Sequence, residues 1–316
     1  MCVLDDYEEA ALSSADWAPV TSRARVSVLH RRLATPDEVV AALEPFDVVV
    51  AMRERTAFPR ATLARLPGLR LLVTTGQRNA AIDLAACADL GIVVSATRNG
   101  GSPVVEMTWA LILAALRDVP WHVAGMRSGS WSPRAGRELA GLTLGLVGVG
   151  RTGARMARIG RAFDMRVVGW SQNLTGERAA EQGVERVEKE ELFRVSDVVS
   201  IHLVLSDRTR GVVGAAELRA MRPDAWLVNT SRGPICDEQA LLTACSQRWI
   251  AGAALDVFSD EPLPADHPFR GEPNMLLSPH VGYVTRENLR LWFGDVVEDI
   301  VAFADGTPIR VLGPPT

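Results

Sequence analysis

Lysine is almost missing from this 316-residue chain: Lys189 is the only one, and arginine supplies the rest of its 34 basic residues. That single amine lies in the charged run Glu188-Lys189-Glu190-Glu191. Such a run gives it neither desolvation nor a tuned electrostatic setting, which argues against Schiff-base chemistry. Cysteine is scarce too. Cys2, Cys87, Cys236 and Cys245 stand apart, with no CxxC pair and no Cys/His cluster. This argues against a zinc site or a disulfide framework and predicts small buried thiols in a reducing, cytoplasmic compartment. There is no excess of positive charge: 34 basic against 38 acidic residues leave a formal net charge of −4, so no nucleic-acid partner is expected. Nor is there a long hydrophobic run. The stretch Ala110–Leu116 falls far short of the roughly 20 residues needed to span a bilayer. The chain opens with Asp5, Asp6, Glu8 and Glu9, where a secretory leader would carry basic and then apolar residues.

What is present is an ordinary globular balance, 47% hydrophobic and 23% charged, in a length sufficient for two cores with a cleft between them. Short β-branched runs at Val26–Leu29, Val48–Met52, Leu69–Thr74 and Ile92–Val94 read as buried parallel strands. They alternate with helical patterns at Pro36–Leu43, Pro59–Leu66 and Ala81–Leu90. An N-terminal arm of roughly 24 residues, without assignment, precedes the first of these strands. The turn Arg98-Asn99-Gly100-Gly101-Ser102-Pro103 leads into an apolar helix from Val104 to about Val119. Its nearly all-round apolarity predicts burial between two bodies, with Trp121 and Trp131 in a looser segment after it. The alternation then restarts with six strands: Thr143–Val147, Arg166–Trp170, Val198–His202, Ala225–Asn229, Ala251–Asp256 and Met275–Ser278. A last helix, about Thr285–Ala304, returns to the first domain and carries the tail Pro308–Thr316. The fold class is therefore α/β, with the first domain boundary near residue 98 and no internal repeat.

Gly148-Val149-Gly150-Arg151-Thr152-Gly153 matches G-x-G-x-x-G. A tight turn, close approach of backbone to a pyrophosphate, and close helix–strand packing each need a missing side chain. By itself such a hexapeptide serves plain packing nearly as readily as phosphate binding. Here it follows the apolar run Leu144-Gly145-Leu146-Val147 and opens a helix from Thr152, the context the phosphate-binding reading requires. The second strand should end in an acid that bonds the ribose of NAD, yet the chain reads Trp170-Ser171-Gln172-Asn173. NAD and NADP both stay open, with Arg151 and Arg178 as candidate partners for an extra phosphate.

Three further segments sit at the C-terminal ends of expected strands, where ligands bind in open α/β sheets. They are Val228-Asn229-Thr230-Ser231-Arg232-Gly233, Ala254-Leu255-Asp256-Val257-Phe258-Ser259-Asp260-Glu261-Pro262 and Ser278-Pro279-His280-Val281-Gly282-Tyr283. Together with the glycine turn they resemble the D-2-hydroxyacid dehydrogenase family, which includes glyoxylate/hydroxypyruvate reductases, D-lactate and phosphoglycerate dehydrogenases, and the resemblance covers nearly the whole chain. It implies a Rossmann-type doubly wound sheet inserted into a smaller flavodoxin-like α/β domain. Residues 98–285 would bind the dinucleotide, and 1–97 with 286–316 would form the substrate-binding domain.

The resemblance also implies Arg232, Glu261 and His280 as the catalytic trio. A 2-oxo acid presents a carboxylate beside a carbonyl, which a planar cation can grip through paired hydrogen bonds. Histidine suits proton transfer to the carbonyl oxygen near neutral pH, and a carboxylate beside it fixes the ring. Read singly, Arg232 is a surface arginine in an arginine-rich chain and Glu261 a loop acid. His202 is the one serious rival to His280, since it also ends a strand. Gly148, Gly150, Arg151, Thr152 and Gly153 would receive the diphosphate, with Ser171 near the adenosine ribose. Thr230, Ser231, Arg232, Asp256, His280 and Gly282 would surround the nicotinamide. Thr108 is a weaker candidate, as readily a helix hydroxyl bonded to backbone.

In the first domain, Gly76 and Gln77 would offer backbone N–H groups to the substrate carboxylate. Arg53, ending a strand, either faces the same cleft or is a solvated arginine in the charged run Arg53-Glu54-Arg55. The family often has a hydrophobic residue then glycine here, so Gln77-Arg78 departs from it. No metal is expected. A homodimer is expected through the nucleotide domain, with Trp109, Trp121 and Trp131 as interface candidates. No regulatory domain is expected after residue 316. A cofactor-sensing, non-catalytic relative of the family is the alternative reading, because fold does not dictate function. Formate dehydrogenase relatives place glutamine where Glu261 stands.

Overall fold

A computed structural model describes residues 1–314. The chain divides into two compact units, Met1–Gly101 with Val284–Thr316, and Ser102–Tyr283. The change of unit falls at 101/102 and 283/284, so residues 98–101 and 284–285 belong with the first unit rather than the second. The last two residues of the expected tail lie outside the described residues.

The first unit begins with β1 (Cys2–Val3), α1 (Ala18–Thr21), β2 (Ser27–Val28), α2 (Pro36–Leu43), β3 (Val48–Ala51), α3 (Arg60–Leu63), β4 (Leu71–Thr74), α4 (Leu84–Asp89) and β5 (Val93–Ala96). All pairings are parallel, in the order β2-β1-β3-β4-β5. This is the flavodoxin-like 2-1-3-4-5 arrangement.

The expected unassigned arm is corrected here. Cys2–Val3 is an inner strand, and Cys2, Val3 and Leu4 are all fully buried. Two residues are too few to show a period, and the acids that follow suggest solvent. Those acids turn inward instead. Asp5 accepts the Thr56 hydroxyl (2.6 Å), and Asp6 accepts the N–H groups of Ala10 and Ala11 (3.0 and 3.1 Å). Buried carboxylates with such partners are tolerated where unpaired ones are not.

The second unit runs α5 (Pro103–Leu116), α6 (Val119–Arg127), β6 (Thr143–Val147), α7 (Arg151–Ala162), β7 (Arg166–Trp170), α8 (Gly176–Glu181), β8 (Glu185–Arg186), α9 (Lys189–Val195), β9 (Val198–Ile201), α10 (Ala215–Ala220), β10 (Trp226–Asn229), α11 (Glu238–Ser246), β11 (Gly252–Leu255) and β12 (Met275–Leu277). Its sheet has seven strands, not six, in the order β12-β11-β10-β9-β6-β7-β8. The strand missed from sequence is β8, a two-residue edge strand with both residues exposed. With it, the order is the doubly wound 3-2-1-4-5-6 plus one added strand.

Strand side chains alternate faces, and the cores follow. Val198 and Val228 enter one hydrophobic cluster with Trp109, Ile112 and Leu144. Their neighbours Val199 and Leu227 enter the other, with Phe193, Leu218 and Leu241.

The expected single helix from 104 to 119 is two. Asp118 adopts a left-handed conformation (φ 50°) that ends α5 and turns the chain into α6. Trp121 therefore lies on a helix. Trp109 is buried against Phe163 (ring centroids 5.2 Å apart) inside this unit, which removes it from the interface candidates.

The chain ends in α12 (Arg286–Ala304), which rejoins the first unit. Along it, Leu289, Trp292, Phe293, Val296, Val297 and Ile300 are all buried. The carbonyl of Arg310 and the N–H of Leu312 then bond to Ala96 and Val94 along β5.

All four cysteines are free and buried. Burial pushes the thiols of Cys2 and Cys87 up to about 11 and those of Cys236 and Cys245 up to about 12. No helix among the described residues is long and apolar enough to cross a membrane.

Candidate active site

The second unit's sheet reverses direction of winding between β6 and β9, and the glycine-rich turn follows β6 at that point. Gly148 has φ +107°, and a side chain there would meet the His202 carbonyl oxygen at 2.6 Å. At Gly153 a Cβ would lie 2.1 Å from the Gly148 carbonyl oxygen, so this glycine lets α7 pack against the turn. Gly150, by contrast, has nothing within 4 Å and is exposed. Turn, open approach and close packing thus fall to the three glycines in the order that a bound pyrophosphate needs. The twelve-residue α7 starts at Arg151, with its first N–H groups and the positive end of its dipole at the turn. Beside the turn, Trp170, whose carbonyl accepts the Gly148 N–H, and Leu203, which packs against Gly148, are both partly buried and leave an apolar margin suited to an adenine ring. These residues fit a dinucleotide, and Leu203 was not legible as a neighbour of the turn without the strand order. A Gly153→Val variant is expected to keep its secondary structure and to weaken dinucleotide binding at least ~10-fold, read by calorimetry, since overpacking here displaces the turn.

The three strand-end segments converge within this unit. His280 Nδ1 lies 2.5 Å from Glu261 Oε2, and Glu261 Oε1 accepts the Phe258 N–H at 2.8 Å. The carboxylate is therefore fixed at one end and fixes the imidazole at the other. His280 Nε2 has no protein partner among the described residues. The His280 side chain is 24% exposed, so a ligand can reach it. Its ring meets Tyr283 edge-on, with centroids 5.5 Å apart.

His280 sits at φ +55°, an uncommon conformation for a residue with a side chain, and the surrounding loop is braced accordingly. The brace is Asp256, 1% exposed, whose carboxylate accepts the Ser278 hydroxyl (2.6 Å) and the N–H groups of Val281 (3.0 Å) and Gly282 (2.8 Å). The acid expected beside a nicotinamide is thus committed to holding the histidine loop.

The rival histidine behaves differently. His202 Nε2 contacts Ser200 Oγ (2.9 Å), and burial lowers its pKa to about 4, which keeps it neutral and out of proton donation at neutral pH.

Arg232 follows β10, half-buried, and its Nη1 donates to the Ser231 carbonyl at 2.7 Å. Asn229, itself buried, bonds the Arg232 carbonyl and the Ser231 N–H, so the backbone under the arginine is set from within the strand. Ser231 Oγ donates to the Leu203 carbonyl. Thr108 donates to the Val104 carbonyl four residues back and pairs with Thr230 (2.7 Å), which makes it chiefly a support for Thr230.

The first unit's loop is described by itself. Gly76 (φ +87°) has no room for a side chain because the Arg53 guanidinium lies over it. Arg53 is held there by the carbonyls of Thr75 (3.2 Å) and Arg78 (3.5 Å). The Gly76 N–H is not available to a ligand as expected; it donates to the Thr97 hydroxyl at 2.6 Å. Gln77 is exposed, and its side chain accepts from Asn99. No group of three or more metal-ligating side chains occurs among the described residues.

The sequence pattern described as D-isomer specific 2-hydroxyacid dehydrogenase, NAD binding domain, matches residues 109–282. Glyoxylate reductase of Aeropyrum pernix is 41% identical over 254 residues, 77% of this chain and 76% of that enzyme. D-3-phosphoglycerate dehydrogenase of Methanocaldococcus jannaschii is 34% identical over 80% of this chain, which spans only 49% of that longer protein. Among solved structures, phosphoglycerate oxidoreductase from Vibrio cholerae superposes with a TM-score of 0.90 at 34% identity, covering 96% of this chain and 98% of that one.

Proposed function

The chain belongs to the D-isomer specific 2-hydroxyacid dehydrogenase family, and from that premise we propose that it interconverts a small 2-oxo acid and the D-2-hydroxy acid through Arg232, Glu261 and His280. The 2.5 Å contact between His280 and Glu261 at a strand-end loop carries this reading. A bound nicotinamide dinucleotide supplies or accepts the hydride. Arg232 binds the acid's carboxylate and polarises the adjacent carbonyl with its planar, permanently charged group. His280, its Nδ1 turned to Glu261, gives a proton from Nε2 to the carbonyl oxygen in reduction and takes it back in oxidation. Glu261 holds the ring and pairs with its charge when protonated. Thr230 and Ser231 line the nicotinamide side and Asp256 keeps the histidine loop in place. In the first unit, the Gln77 N–H is the group that the family resemblance assigns to the substrate, and Arg53 beside it is a further candidate.

The decisive test is absorbance at 340 nm with NADH or NADPH against glyoxylate, hydroxypyruvate, pyruvate, phenylpyruvate and branched 2-oxo acids. Turnover of at least one is expected. Cofactor binding without turnover of any of them would favour a sensor.

The reading includes a homodimer and a reducing compartment. On α6 no residue is buried, and Val119, Trp121, Val123 and Met126 are exposed together, with Trp131 84% exposed beyond it. Val119, Val123 and Met126 share one face of α6 by their i, i+4, i+7 spacing, and exposed apolar side chains grouped in this way mark association surfaces. Sedimentation equilibrium should give about twice the chain mass, and a Trp121→Glu, Met126→Glu double variant should give one. The four buried free thiols fit a reducing compartment.

A further inference from the structure

We infer that the dinucleotide site of the second unit accepts a 2′-phosphorylated adenosine, so that NADP(H) binds as well as or better than NAD(H). The inference rests on the dinucleotide reading above.

In sheets of this kind a carboxylate at the end of the second strand bonds the ribose hydroxyls, and the same charge repels a 2′-phosphate. That strand is β7, and after Trp170 come Ser171, Gln172, Asn173, Leu174, Thr175 and Gly176, without an acid before Glu177. Ser171 is half-buried, while Gln172 and Asn173 are exposed. The side chains of these three polar residues have no hydrogen-bond partner among the described residues, so they remain able to donate to phosphate oxygens.

The surroundings are cationic. The Trp170 carbonyl accepts the Gly148 N–H at 2.8 Å, which stitches the end of β7 to the glycine turn. Three residues beyond Gly148 is Arg151, exposed and outside every ion pair, and Arg155 and Arg158 continue the same outer face of α7, also unpaired. That helix contains no acidic residue. Of the acids near β8, Glu185 pairs with Arg166 (2.8 Å) and Glu188 with Arg186 (2.9 Å), while Glu177 and Glu181 stand further on, along α8. Lys189, near the Trp170 ring, is paired with Glu217 (2.7 Å). A second phosphate at this edge therefore meets neutral donors and uncompensated positive charge, with no fixed carboxylate opposed to it.

Isothermal titration of the full chain with NADP⁺ and NAD⁺, and with 2′,5′-ADP and 5′-AMP, tests this without turnover. Wild type should bind NADP⁺ with a Kd no more than ~3-fold above that for NAD⁺. Ser171→Asp should lower the affinity for NADP⁺ relative to NAD⁺, and for 2′,5′-ADP relative to 5′-AMP, by ~10-fold or more through like-charge opposition. A wild-type preference for NAD⁺ beyond ~3-fold overturns the inference alone. Equal losses for all four ligands in Ser171→Asp also overturn it. Failure of both dinucleotides to bind wild type overturns the dinucleotide reading with it.

Discussion

Replacing His280 by asparagine is expected to lower kcat by ~10²–10⁴-fold, the range for loss of a positioned acid–base group, with cofactor affinity within about twofold of wild type. Asparagine is the informative choice because it tolerates the left-handed conformation that His280 adopts at φ +55°. Alanine would mix loss of the proton donor with strain in the loop that Asp256 braces through Ser278, Val281 and Gly282. Asparagine keeps a polar side chain and the backbone conformation while removing the imidazole that exchanges the proton. Stopped-flow single turnover separates the chemical step from product release, and calorimetry gives cofactor affinity. A kcat near wild type would assign the proton to another group. His202 would not be that group, because burial holds it neutral.

Arg232→Gln comes next in size. Removing one partner of a desolvated, hydrogen-bonded charge pair costs about 2–5 kcal/mol, so kcat/KM should fall by ~30- to 5,000-fold. Arg232→Lys is expected to recover little of this, since an ammonium lacks the planar fork that grips a carboxylate and polarises the carbonyl beside it. The substitution leaves the Asn229 bonds to the local backbone untouched, so folding should be unaffected. Steady-state kinetics on the best substrate of the 2-oxo acid panel decide the matter. Loss confined to KM would mean binding only, and no loss would remove Arg232 from the site.

The second unit was readable because its signals are local and repeated. β6 and β7 occupy the residues that their β-branched patterns mark. In the first unit, likewise, α2 starts at Pro36 because Thr35 caps it by accepting the Glu38 N–H. The catalytic segments each lie just after a strand, so finding the strands found the loops.

What escaped was set by tertiary context. β1 and β8 are two residues long, below the length at which alternation is visible. The burial of Asp5 and Asp6 depends on partners up to about fifty residues away and on a turn. Whether the Gly76 N–H is available depended on Thr97, which is remote in sequence. Trp109 and Trp121 look alike in sequence, yet Phe163 buries one and leaves the other exposed.

The distribution of the thiols gives the molecule an internal record of its own opening. Cys2 and Cys87 lie in the first unit, Cys236 and Cys245 in the second, and all four are shielded and disfavoured as thiolates while the chain is folded. Alkylating reagent therefore marks a unit only when that unit loosens. Peptide mapping after a brief pulse in mild denaturant would report the order in which the two halves let go, two sites to each, with no label engineered in.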